Sequence, residues 1–111
     1  MKINVNNKII SSVDFTEFET AWEIGDSFSV LEYFKSQNIV ILGGDILTHD
    51  MKYTYDSWHY NVNGRQDWNS DVECSNRVAF DYLSRYINKN GNKFCVVFVE
   101  TNDARRYGCT R

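Results

Sequence analysis

SDVECSNRVAFDYLSRYINKNGNKFCVVFV, residues 70–99, carries a long helix and a buried strand end to end. Val72, Ser75, Ala79, Tyr82, Leu83, Tyr86 and Ile87 recur at steps of three and four, which places them on one helical face. Asp71, Arg77, Asp81, Arg85 and Lys89 tend to the opposite face. Ser70-Asp71-Val72-Glu73 reads as a capping box, with the Ser70 hydroxyl accepting from the Glu73 N–H and the Glu73 carboxylate reaching back to the N–H of Ser70. Gly91 reads as a left-handed stop, so the spacing predicts a helix over about 71–90. Phe94 to Val99 is an unbroken apolar run, the pattern of a strand covered on both faces.

A second such run, Ile39 to Leu42, lies upstream and continues through Ile46 and Leu47, with Gly43-Gly44 placed to bend or bulge it. Strand, helix, strand makes these two runs neighbours in one sheet. Tyr53 to Val62 alternates, Tyr53, Tyr55, Ser57, His59 and Asn61 facing one way and Thr54, Asp56, Trp58, Tyr60 and Val62 the other. This predicts a half-exposed antiparallel strand closed by the turn dipeptide Asn63-Gly64, with Trp58 and Tyr60 packed under the long helix. Phe28, Val30, Leu31 and Phe34 form the buried stripe of a helix over about 27–37, with Asp26 or Ser27 as N-cap. Phe15, Phe18 and Trp22 have helical spacing too and predict a short helix over 14–22. Near the N-terminus Ile3, Val5 and Ile9 alternate around Asn6-Asn7, an edge strand or hairpin, and the polar segment 101–111 should fray. The expected fold class is α+β: a mostly antiparallel sheet of about four to five strands with two main helices packed on it.

At 111 residues there is room for one domain, 1–111. Hydrophobic residues make up 42% and aromatic ones 15%, which sets the chain apart from disordered segments, and with no proline its turns must come from Gly, Asn, Asp and Ser. No stretch approaches the roughly 20 apolar residues of a membrane helix, and Met1 to Asn6 lacks the core of a secretory signal, so a cytoplasmic location is expected. Cys74, Cys95 and Cys109 are odd in number, spaced 21 and 14 apart, and read as free thiols. The formal charge is -3, but residues 1–60 hold nine acids against four Lys, and no basic residue falls between Lys8 and Lys35. Asp14, Glu17, Glu19, Glu23, Asp26 and Glu32 all lie in that interval, a surface that repels nucleic acid and attracts basic protein.

Gly43-Gly44-Asp45-Ile46, Tyr55-Asp56-Ser57-Trp58-His59-Tyr60-Asn61, the helix from Ser70 and the strand Phe94 to Val99 together resemble the bacterial immunity protein 40 family, over roughly residues 28–101. The resemblance implies a small cytosolic protein encoded beside a toxin gene of a polymorphic or contact-dependent system. Such a protein binds and neutralises the cognate toxin domain. The family pattern defines no toxin-contact residues, so an interface has to be found from the chemistry of the chain.

Two enzymatic readings compete with that one. Asp45, His49, Asp50, Asp56 and His59 gather two imidazoles and three carboxylates within 15 residues, and a small metal-dependent hydrolase would use the His49/Asp50/His59 region. A chain with only 2 His offers few further ligands, and Asp45 and Asp56 are better read as accepting backbone N–H groups at the bend after Gly43-Gly44. Cys74 or Ser75 with His59 as base would make a nucleophilic pair, but no flanking motif supports it. GxGxxG, GxxxxGK[ST] and HExxH are absent, and no cofactor is implied. Tyr53, Tyr55, Trp58, Tyr60 and Trp68 could stack nucleic-acid bases, but no Lys or Arg lies between Lys52 and Arg65, and the pI is about 5.3. The favoured reading places a basic partner, a toxin domain such as a nuclease, on Glu17, Glu19, Trp22, Glu23, Asp26, Tyr53 and Tyr55, with Trp22 as a partly exposed anchor. A non-catalytic adaptor module would share this fold and composition.

Overall fold

Strand pairing that is antiparallel throughout builds the sheet, in a computed structural model that describes residues 1–16, 19–62 and 67–101. The elements are β1 (Lys2–Val5), β2 (Lys8–Ser11), β3 (Val13–Asp14), β4 (Thr20–Glu23), a 3-10 turn (Ile24–Asp26), α1 (Ser27–Ser36), β5 (Val40–Thr48), β6 (Tyr53–His59), α2 (Trp68–Asn90) and β7 (Phe94–Thr101). The main sheet has the order β3-β4-β7-β5-β6, and β1 and β2 form a separate hairpin. Asn6 and Asn7 turn that hairpin with φ of 52° and 66°, the positive values a two-residue type I′ turn requires and asparagine tolerates. This is the expected α+β class, with the two apolar runs paired directly as β5 and β7.

Both helices lie on one face of the sheet. Val30, Leu31 and Phe34 of α1 and Ala79 and Leu83 of α2 join Trp22, Ile24, Ile41, Ile46, Trp58 and Val96 in the main core, and Ile3 and Ile10 extend it under the hairpin. Trp58 stacks on Tyr82 at 4.9 Å between ring centroids and meets Phe98 edge-on at 5.9 Å, as its place under the long helix requires. Gly44 makes that seat possible: a Cβ there would come within 2.4 Å of the Trp58 ring and 2.9 Å of the Val97 carbonyl oxygen. Gly43, at φ 155°, takes up the register shift of β5 against β7.

Several local expectations are corrected. The segment 14–22 is not a helix: Val13–Asp14 and Thr20–Glu23 are strands, paired Val13 with Ala21 and Asp14 with Thr20. Ala21 and Trp22 are both buried because β4 is covered on both faces, so alternation is lost and the spacing of Phe15 and Trp22 imitates a helical stripe. The capping box also fails. Helix α2 begins earlier, at Trp68, and its cap is Asp67, whose carboxylate accepts from the Ser70 N–H at 2.7 Å. That bond holds the Asp67 carboxyl below its ordinary value. Asp71 is buried instead of solvated, and its carboxylate accepts from the Tyr60 hydroxyl at 2.6 Å. Asp26 flanks α1 without a side-chain cap; Ser27 instead donates to the Ile24 carbonyl at 2.6 Å. At the end of α2, Gly91 adopts φ 90°, ψ −174°, positive but extended rather than left-handed helical. The strand from Tyr53 stops at His59 and is interrupted by a bulge at Tyr55. Phe18, Asn63-Gly64, Cys109 and the Arg105-Arg106 pair lie outside the described residues.

Candidate functional site

The strand pairing dictates what the sheet displays away from the helices. Along one row Ser57 stands beside Asp45, Asp45 beside Val97, Val97 beside Ala21 and Ala21 beside Val13. In the neighbouring row Tyr53 stands beside Leu47, Leu47 beside Cys95 and Cys95 beside Glu23. Because side chains alternate across a strand, these residues share the outer face, while Trp22, Ile46 and Val96 point to the helices. Its centre is a small second core of Ala21, Leu47, Cys95 and Val97, flanked by Val13, Phe15 and Met51. No helix of the described residues covers it, and its margin stays in contact with solvent.

That margin is acidic and aromatic. Phe15 meets Tyr53 edge-on at 5.7 Å, joining the β3 side of the sheet to β6, and Tyr53 remains 46% exposed. Glu19 and Glu23 are exposed at the two ends of β4, and Asp45 is half-buried in β5. The hydroxyl of Tyr53 is pushed above its ordinary value first by partial burial and then by the charges of Glu19 and Asp45. The Cys95 thiol is raised in the same way, by burial and then by Glu23. Three carboxylates therefore act on one apolar centre. Val99, exposed on β7, extends the apolar surface beside them.

The structure thus brings Glu19, Glu23 and Tyr53 together on one face and leaves Tyr55 on the adjoining edge strand. Trp22 is corrected: at 2% exposed it is a main-core residue facing the helices and cannot anchor a partner. Asp26 ends the turn leading into α1 and so belongs to the helix layer, and Glu17 lies outside the described residues. The sequence read Asp45 as a turn acceptor, Phe15 as part of a helical stripe and Val99 as buried, and placed none of them on this face. For Val97 and Val99 the alternation was hidden inside an unbroken apolar run, and only the register of β7 shows which of its residues face outward.

The candidates for catalysis are dispersed. His59 pairs with Gly43, whereas His49 lies in the turn beyond Thr48, so five residues of strand, about 17 Å at about 3.4 Å each, separate the two imidazoles' positions. Asp50 accepts from the Thr48 hydroxyl and pairs with Lys52 at 3.6 Å, closing that turn. Among the described residues no group of three or more His, Cys, Asp and Glu could hold a metal ion. The Ser75 hydroxyl is buried, accepting from the Ile41 N–H at 3.0 Å and donating to the Val72 carbonyl at 3.2 Å, so it serves to bind α2 to β5. Asp56 accepts from the Tyr86 hydroxyl at 2.9 Å rather than from the backbone. No helix of the described residues is long and apolar enough to cross a membrane.

Comparison with known proteins finds one family model, described as immunity protein 40, matching residues 9–100. No curated protein and no solved structure matches. The match runs from the second strand of the hairpin through β7, taking in the whole sheet and both helices, so the chain belongs to the immunity protein 40 family.

Proposed function

We propose that the chain neutralises a cognate bacterial toxin domain by stoichiometric binding in the cytoplasm, with no catalysis of its own, and that the outer face of the sheet is the binding surface. The observation that carries this reading is the convergence of Glu19, Glu23 and Asp45 on an apolar margin of exposed Tyr53 and Val99 and partly buried Phe15. Rings supply large contact area at low entropic cost, and carboxylates around them favour a cationic partner. A nuclease toxin is the natural candidate, since cations that hold its phosphate substrate would meet these carboxylates and be shielded. Family membership supports an immunity role, and the face supplies the chemistry for it.

Charge reversal tests the surface. In Glu19→Lys combined with Glu23→Lys, the association rate with the toxin domain encoded beside the gene should fall roughly tenfold at low salt and much less at high salt, because screening removes the steering that the carboxylates provide. An association rate unchanged at low salt would remove this face from the interface.

A further inference from the structure

The free edge of the sheet carries a built irregularity. On β6, Thr54, Tyr55 and Asp56 stand opposite Ile46 alone, because the pairing steps from Asp45 with Ser57 directly to Leu47 with Tyr53. The Thr54 hydroxyl replaces the missing ladder: it donates to the Ile46 carbonyl at 2.9 Å and accepts from the Asp56 N–H at 3.1 Å. Asp56 in turn accepts from the Tyr86 hydroxyl at 2.9 Å, which ties the bulge to α2. The bulge is therefore held by bonds from two elements. What it holds out is Tyr55, 92% exposed and at φ 68°.

A left-handed conformation is costly for a residue with a Cβ, and glycine or asparagine would occupy it at less strain. Tyrosine recovers nothing from the fold in return, since a ring this exposed buries almost no area. Strain maintained at an exposed aromatic points outward, to something absent from the isolated chain. We propose that Tyr55 is a preorganised anchor that inserts into an apolar pocket on the toxin domain, a pocket rimmed by Lys or Arg. The rim follows from charge: Tyr55 precedes Asp56 and stands two residues from Tyr53, whose hydroxyl feels Glu19 and Asp45, so this strand presents its rings among carboxylates and favours a pocket of opposite sign. This inference rests on the neutralisation reading and adds to it the residue that dominates dissociation.

The test measures both folding and binding for Tyr55→Gly, Tyr55→Ala and Tyr55→Phe, using the toxin domain encoded beside the gene as probe. Tyr55→Gly should hold or raise the melting temperature while weakening the complex about 30-fold or more, mainly through faster dissociation. Tyr55→Ala should weaken it to a similar degree, equally at low and high salt, and Tyr55→Phe should keep the affinity within a few-fold. Affinity unchanged in the alanine variant would overturn the anchor while leaving neutralisation standing. A drop of several degrees in the melting temperature of the glycine variant would overturn it as well, by showing that the ring supports the fold. So would self-association of the unaltered chain that disappears with Tyr55→Ala while toxin binding persists. Absence of any complex with the unaltered chain would overturn the neutralisation reading, and the anchor with it.

Discussion

Gly44 has no side chain because the Trp58 indole occupies the space a Cβ would need, with the backbone of β7 closing the other side. Rigid ring and backbone carbonyl cannot both yield, so Gly44→Ala should destabilise the fold by about 1–3 kcal/mol, read as a lowered midpoint of denaturant unfolding. The sequence marked Gly43-Gly44 as a bend, but that both glycines meet Trp58, Gly43 its backbone carbonyl and Gly44 its ring, with the register shift at Gly43, required knowing which strand lay beside them. Tyr86 offers a second test at this scale. Partial burial and the hydrogen bond to Asp56 push its hydroxyl up to about 12, from an ordinary value near 10. Since the folded state holds this proton more tightly than the unfolded chain, its contribution to stability is intact below pH about 10 and is lost as pH rises toward about 12. Asp56→Asn should move the Tyr86 transition, followed through that ring's own nuclear magnetic resonance signals, to lower pH; no movement would mean that the bond tying the bulge to α2 is not formed. Asp56 read in the sequence as an acceptor of backbone N–H groups at a turn, but it lies in β6 and accepts from a side chain 30 positions away, which no local pattern reveals.

Among the elements, those with a single unambiguous period were readable and those covered on two sides were not. Helix α2 has a stripe of Val72, Ser75, Ala79 and Leu83 that only a helix can bury together, and β5 and β7 are too apolar to be anything but central. Strand β4 has only four residues, Thr20–Glu23, two of them buried toward opposite layers, and so short a segment carries no period of its own. Its assignment has a direct consequence. Trp22 belongs to the main core, so Trp22→Ala should cost about 3–5 kcal/mol of stability, whereas a partly exposed helical anchor would lose little. Chemical denaturation of the variant separates the two. The true cap of α2, Asp67, was hidden by the nearer and more regular Ser70–Glu73 pattern, which shows that a motif match fixes the existence of a helix start better than its position.

At the scale of the whole molecule, the fold separates two tasks. The helix layer and hairpin bury one face of the sheet around Trp22, Trp58 and Leu83, and the opposite face keeps Phe15, Tyr53 and Val99 near solvent with Glu19, Glu23 and Asp45 among them. The acidic interval between Lys8 and Lys35 was plain in the sequence, yet its geometry was not: β7 and β5 lie between the strands of Glu19 and Tyr53, and Glu19 acts on Tyr53 on the face where Phe15 reaches the Tyr53 ring. The same topology keeps His49 and His59 apart, five residues of strand lying between their positions. Titration of the chain against the active toxin domain encoded beside its gene discriminates binding from turnover. Stoichiometric neutralisation predicts that toxin activity falls in proportion to added chain and vanishes at one equivalent, with a one-to-one complex by sedimentation. Complete inactivation by a small fraction of an equivalent, or full activity at an excess, would contradict it.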